Sequence, residues 1–273
     1  MKRIHWILQS NLIREQTLNQ IKNALVEDNV SFEEVRVIPF SDELPTIERK
    51  EDINVFYGST TLILNAYKKW GTSEGIFYNH RNFNMKTYLE KWGVKMLNSD
   101  SKIFTFKEIV ALKLRENSVW FLRPIEDDKS FSGCTMTFEE IIDFEKKLID
   151  SNNPYLSTET LVAISSVKSI SKEWRLFIID KMVVSACRYM LNGSLDIDDK
   201  DIPKELIVFA EECCREYVPA DIFVMDIAFF KERFHIVECN CFNDSGFYKH
   251  DILKIIHGVN EYFERCSMLN DKC

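Results

Sequence analysis

Residues 224–240 decide how this chain is read: Val224-Met225-Asp226-Ile227-Ala228-Phe229-Phe230, then Lys231-Glu232-Arg233, then Phe234-His235-Ile236-Val237-Glu238-Cys239-Asn240. Two strongly apolar runs around a short polar turn predict a hairpin in a buried sheet. Asp226, Glu238 and Asn240 break the apolar pattern. Side chains alternate along a strand, so Glu238 and Asn240 share a face. A three-residue connection, Lys231 to Arg233, sets Asp226 opposite Glu238, whereas a two-residue connection turns Asp226 to the other face. In the first register two carboxylates oppose each other, which is destabilising across a sheet and costlier when buried. A divalent cation resolves both problems, and oxygen ligands from Asp226, Glu238 and Asn240 suit Mg²⁺. The competing reading is a pair of edge carboxylates capped by Lys or Arg.

Cations lie upstream. Phe121-Leu122-Arg123-Pro124 places Arg123 at a strand end, and the polar stretch 125–133 carries Lys129 beside Ser130, Ser132 and Gly133. These residues suit phosphate binding by a fixed Arg and a closing loop, or else form a solvated turn. Arg175 and Arg188 sit within apolar strands, where an Arg needs an anion: Glu173, Glu238 or a phosphate. Ser59 and Thr60 open a helix, as an anion site or a plain cap. Asn243, Ser245, Gly246 and Tyr248 form a polar turn after the hairpin, where a substrate group has room.

Working outward, the first hundred residues alternate strands and helices. Ile4–Leu8, Val35–Phe40, Ile53–Tyr57 and Gly75–Tyr78 read as strands, and residues 58–70 and Asn84–Trp92 as helices, giving a parallel α/β domain over 1–98. The next segment, 99–166, reads as a helix over Phe106–Arg115, a strand over Val119–Arg123, a helix opened by the Thr137/Glu140 capping box and running to about Asp150, and a strand over Leu161–Ser165. Residues 167–273 read as hairpins Trp174–Ile179/Met182–Tyr189 and Ile222–Phe230/Phe234–Asn240, with helices over Pro203–Tyr217 and Asp251–Cys266. The class is therefore α/β plus α+β.

Composition is that of a globular chain: 273 residues, 45% hydrophobic and 29% charged, so disorder is not expected. A formal net charge of -8 argues against a nucleic-acid footprint. No apolar run reaches membrane-spanning length, and Gln9-Ser10-Asn11 ends the first apolar run too early for a signal peptide. The eight Cys show no disulfide framework, which suits a reducing, cytoplasmic setting. His235, Cys239 and Cys241 lack a fourth zinc ligand and read as core.

In order, these motifs resemble the ATP-grasp superfamily, and within it the bacterial and viral clade named for one Arg and two Lys in its nucleotide site. The matching residues are 121–124, 127–133, Lys168 to Arg175, Met225-Asp226 and Glu238 to Asn243, together with Tyr57 to Leu62 and Met96 to Asn98. The resemblance implies ATP held between two α+β lobes, 99–166 and 167–273, behind the α/β domain. It implies that Arg123 and Lys129 bind phosphates, that Lys168 (or Lys172) contacts the nucleotide near a hinge, and that Glu173 faces the ribose or adenine. Asp226, Glu238 and Asn240 would hold Mg²⁺, while Arg188, and with it Arg175, would face the transferred phosphoryl group or acyl intermediate. The implied activity is an ATP-dependent carboxylate–amine ligation through an acyl phosphate, with a small-molecule, amino-acid, peptide or protein acceptor. The alternatives are an ATP-grasp kinase and a nonenzymatic ATP-binding protein.

Overall fold

The computed structural model describes residues 3–39, 41–48, 53–71, 75–126, 131–151 and 156–270. Its strands form three sheets built from successive segments of the chain.

The first sheet is parallel, in the order β2-β1-β3, from β1 (Ile4–Gln9), β2 (Ser31–Val35) and β3 (Ile53–Tyr57). β1 and β3 are buried along their whole length, as expected of parallel strands covered on both faces. Helix α1 (Glu15–Glu27) buries Leu18, Ile21, Ala24 and Leu25, and α2 (Thr60–Trp70) buries Leu62, Ile63 and Ala66. Two expected strands need correction. Of the expected 35–40 run only Val35 is in a strand, as the last residue of β2, and Phe40 lies outside the described residues; Val37 instead donates its backbone N–H to Asn11 Oδ1 at 2.9 Å and accepts from Asn11 Nδ2 at 2.7 Å. Residues 75–78 form no strand either. The Asn243 side chain takes the Gly75 carbonyl and the Phe77 N–H, where a strand partner would.

Helix α3 (Met85–Trp92), capped by Asn84, leads into the second sheet. This is antiparallel, in the order β4-β7-β5-β6: β4 (Lys102–Thr105), β5 (Val119–Pro124), β6 (Cys134–Thr137) and β7 (Leu161–Ser166). Helices α4 (Phe106–Ala111) and α5 (Phe138–Ile149) cover it, each opened by a complete capping box, Thr105/Glu108 and Thr137/Glu140. α4 is shorter than the sequence suggests; the chain turns left-handed at Lys113 (φ 50°).

The third sheet, β10-β9-β8-β11-β12, is antiparallel: β8 (Lys172–Ile179), β9 (Met182–Leu191), β10 (Ser194–Asp198), β11 (Ile222–Phe230) and β12 (Arg233–Cys241). Helix α6 (Lys204–Glu216) packs Leu206, Ala210, Cys213 and Cys214 against Trp174, Leu176, Phe223, Met225 and Ile227 on one face. On the other, Ile255, Ile256, Val259 and Phe263 of α7 (Ile252–Asn270) join Phe177, Ile179 and Val224 in one core with β1, β3 and α1. β4, β6 and β10 escape the sequence because they are four or five residues long and their pairing, not their pattern, makes them strands.

Candidate functional site

The β11–β12 connection is the two-residue turn Lys231-Glu232, both residues at positive φ (48° and 61°), closing the pair Phe230↔Arg233. That turn alone would set Asp226 opposite Val237. Instead the register shifts after Ile227↔Ile236, Val237 is left unopposed, and Asp226 pairs with Glu238. The three-residue connection expected from the sequence is thus replaced by a shorter turn plus a β-bulge, which adds the missing residue and restores the facing carboxylates.

Around this pair the charges interlock. Arg175 on β8, also directly opposite Asp226, donates from Nε to Oδ1 at 2.9 Å and from Nη2 to Oδ2 at 2.7 Å. Arg123, from the other antiparallel sheet, donates from Nη1 to the carbonyl oxygen of the bulged Val237 at 3.1 Å and from Nη2 to Glu238 Oε2. Asn240 Nδ2 bridges, 3.3 Å from both Asp226 Oδ2 and Glu238 Oε1. The two carboxylates are unequal. The Asp226 side chain is 1% exposed, and burial lifts its carboxyl above the ordinary value against the pull of Arg175. The Glu238 side chain is 29% exposed; burial would raise it too, but Arg123 and Arg175 outweigh that and hold it below the ordinary value.

Two aromatic residues complete the arrangement: Tyr189, to which the sequence reading gave no role, and Tyr248, which it placed in the polar turn offered to a substrate group. Tyr189 donates its hydroxyl to Glu173 Oε2 at 2.8 Å, and its ring stacks on Tyr248 with centroids 5.1 Å apart. Burial raises Glu173 above the usual carboxylate range, against the Tyr189 hydrogen bond, with Asp226 and Glu238 adding to the rise. No sequence pattern marks these tyrosines, because they lie 59 residues apart and meet only through the fold of the turn that carries Tyr248.

Lys168 lies between β7 and β8 and is bound to Asp100 Oδ1 (2.6 Å) and the Ser166 carbonyl (3.0 Å). Lys172, the other candidate, is instead bound to Asp201 at 2.8 Å. Burial would raise the Asp100 carboxyl, but Lys168 and Ser166 together hold it at about 2.

Arg188 is not brought to the carboxylates. It pairs across the sheet with Trp174, whereas Arg175 pairs with Cys187, so Arg188 belongs to the opposite face. There Asp201 (2.8 Å), Asp196 (3.2 Å) and Asp198 (3.5 Å) surround it. The cause is again a bulge: the register shifts between Ile178↔Val183 and Phe177↔Ser185, and the extra residue, Val184, reverses the alternation beyond it.

The expected acceptor residues also divide. Asn243 is fully buried, with Nδ2 on the carbonyls of Phe56 (2.6 Å) and Gly75 (2.9 Å) and Oδ1 on the Phe77 N–H (2.8 Å). Ser245 donates to the Cys241 carbonyl at 2.6 Å. Both tie the post-hairpin turn into the fold rather than facing a substrate. Ser59 caps α2 with a long contact to the Leu62 N–H (3.5 Å), and Thr60 donates to Asp244 at 2.7 Å; both remain half-buried. Lys129 and Ser130 lie outside the described residues.

The residues fit a magnesium–phosphate group on two counts. The donor set is hard oxygen from two carboxylates and an amide, without sulfur. Beside it, Arg123 Nε is buried and without a hydrogen-bond partner among the described residues, a donor that suits an anion. Among the described residues no three His, Cys, Asp or Glu side chains cluster as a metal site.

The family model described as "ATP-grasp domain, R2K clade family 3" matches residues 76–257, which includes every residue of this cluster. The chain belongs to the ATP-grasp family. No curated protein sequence matches it, but its ATP-grasp fold recurs in solved structures. A RimK-domain ATP-grasp protein from Sphaerobacter thermophilus superposes with a TM-score of 0.64 at 11% identity, over 95% of this chain and 98% of its own. D-alanine–D-alanine ligase from Bacillus anthracis gives 0.60 at 12%, over 99% and 100%. The macrocyclase MdnC from Microcystis aeruginosa, bound with its precursor peptide, gives 0.60 at 11%, over 96% and 99%. At such identities the shared property is the ATP-grasp fold, which confirms the class expected from the sequence. Among the described residues no helix is long and apolar enough to cross a membrane.

Proposed function

We propose that this ATP-grasp protein is an ATP-dependent carboxylate–amine ligase that acts through an acyl phosphate. The observation that carries this is the Asp226–Glu238 pair, bridged by Asn240 and flanked by Arg123 and Arg175. When bound, MgATP supplies the phosphoryl group and the divalent charge. Asp226, Glu238 and Asn240 provide the metal's protein oxygens. Arg123 is placed to neutralise phosphate oxygens through its unpartnered Nε, and Lys129 is the second phosphate cation. Lys168, at the junction between residues 99–166 and 167–273, serves the nucleotide as the hinge cation, and Glu173 on β8 faces its ribose or adenine. Arg175 faces the developing charge at the reacting centre. Phosphoryl transfer is governed mainly by positioning and charge neutralisation, which these residues provide without a side-chain nucleophile.

The α/β segment 1–98 shapes the acceptor side, where the N-terminus of α2 at Ser59-Thr60 meets the turn after β12. An amino-acid or peptide acceptor is the reading supported by the company the fold keeps, a D-alanine ligase and a macrocyclase bound with a precursor peptide. The test is phosphate release from ATP over a panel of amino acids and peptides. Release that needs both a free carboxylate and an amine, and stops in Glu238→Ala, is expected. A stable phosphorylated product formed without an amine would make the protein a kinase instead.

A further inference from the structure

Tyr248 is the only aromatic among the described non-glycine residues with positive φ, at 43°. A bulky side chain is strained there, and such strain persists only where surrounding structure enforces it. The enforcement is visible on both sides. Tyr57 donates to the Ser245 carbonyl (2.9 Å), Lys249 is bound to Asp199 (2.8 Å), and His250 Nδ1 lies 2.8 Å from Ser185 Oγ. Glycine, the residue this conformation favours, stands only two positions earlier at Gly246, yet position 248 carries a ring.

That ring has a defined task in the geometry. Tyr248 remains 44% exposed, so core packing does not account for it. Its inner face lies parallel to Tyr189, within 5°, and the Arg175 guanidinium carbon is 5.0 Å from its centroid and 5.8 Å from that of Tyr189. Arg175 reaches the Gly246 carbonyl as well, at 3.4 Å. The same guanidinium grips both oxygens of Asp226. A planar fork that lies over an aromatic ring and is doubly hydrogen-bonded has little freedom left to rotate.

We infer that Tyr248 is a positioning residue for magnesium. It holds Arg175 in plane, Arg175 holds the Asp226 carboxylate, and the Asp226 oxygens are thereby kept turned toward Glu238 and Asn240. This role rests on the reading of Asp226, Glu238 and Asn240 as a magnesium–nucleotide site. Groups that orient metal ligands typically change metal affinity about 10–100-fold when removed.

The experiment is thermal unfolding of the full chain at fixed ATP with MgCl₂ titrated, on wild type, Tyr248→Phe, Tyr248→Leu and Tyr248→Gly. Tyr248→Phe keeps the π face, so its half-saturating magnesium should stay within about twofold of wild type, whereas Leu and Gly should raise it about tenfold or more. Tyr248→Gly should do so without lowering the ligand-free Tm, because relief of the left-handed strain offsets the lost stack. A ligand-free Tm that falls while half-saturating magnesium stays at the wild-type value would show a packing role and overturn the inference. Tyr248→Leu separates the two roles if the glycine variant does not fold: a response matching Tyr248→Phe overturns it. A wild type with no magnesium-dependent ATP shift would overturn the nucleotide-site reading itself, and this role with it.

Discussion

Arg123 and Glu238 form an ion pair between the two antiparallel sheets: Arg123 lies near the end of β5 of the four-stranded sheet and Glu238 on β12 of the five-stranded one. The Arg123 side chain is only 14% exposed, and it also takes the carbonyl of the bulged Val237. One side chain therefore joins the two sheets at the point where the carboxylates face each other.

Replacing Arg123 should accordingly weaken nucleotide binding more than it weakens the fold. Charge-assisted hydrogen bonds contribute about 1.5–3 kcal/mol each, so Arg123→Ala is expected to lower ATP affinity in magnesium by about 10–100-fold. Lysine cannot reproduce the forked contact to Val237 and Glu238, and Arg123→Lys should recover only part. Calorimetric titration of ATP in the presence of Mg²⁺ checks both variants; equal affinity in Arg123→Ala and wild type would remove Arg123 from the phosphate site.

Arg175 carries a stability consequence. Its removal leaves Asp226 buried without its bidentate partner, and breaking a buried pair on one side costs about 3–5 kcal/mol. Urea unfolding of ligand-free Arg175→Met should show this loss, and Arg175→Met with Asp226→Asn should regain much of it because no charge is stranded. A double variant as unstable as the single one would mean that Arg175 acts through packing alone.

Asn243 should behave as a structural residue despite lying beside the site. Asn243→Ala leaves the Phe56 carbonyl and the Phe77 N–H without their partner, at about 1–3 kcal/mol for each buried group left unsatisfied, while the Gly75 carbonyl keeps only its 3.3 Å bond from the Phe56 N–H. A loss of roughly 3 kcal/mol or more in denaturant unfolding is expected. A variant of wild-type stability with altered acceptor use would return Asn243 to the substrate side.

His250 makes the fold sensitive to mild acid. Burial, with Arg175 nearby, pushes its imidazole down to about 3 from 6.5, so the folded protein holds it neutral beside Ser185. The unfolded chain takes up a proton below about pH 6.5 while the folded one does not, so this contribution is complete above 6.5 and shrinks as pH falls toward 3. The slope is about 1.4 kcal/mol per pH unit within that window. Unfolding midpoints measured from pH 7 to 4.5 should fall less steeply for His250→Gln than for wild type; parallel curves would show that other groups carry the acid response.

Much of the site was legible from local pattern. Asp226, Glu238 and Asn240 stand out because polar residues in apolar strands need partners, and Thr137/Glu140 announces α5 because a capping box is complete within four residues. Val37 and Gly75 misled the reading for the opposite reason. Their backbone groups are satisfied by the side chains of Asn11 and Asn243, from 26 and 168 residues away, and no window of sequence contains both halves.

The sequence by itself determined the apolar strands of the two long hairpins, that Glu238 and Asn240 share a face, and the order of segments that marks the ATP-grasp family. Only the tertiary structure decided which charges meet. Three unopposed residues, Val237, Val184 and Tyr189, each shift a register by one: the first turns Glu238 toward Asp226, the second turns Arg188 away to three aspartates, and the third restores the alternation beyond Arg188. Alternation has a period of two, so a single bulged residue reverses the side chains beyond it up to the next bulge. Where the bulge falls is set by packing against neighbouring strands and by partners such as Arg123, which arrive from another sheet.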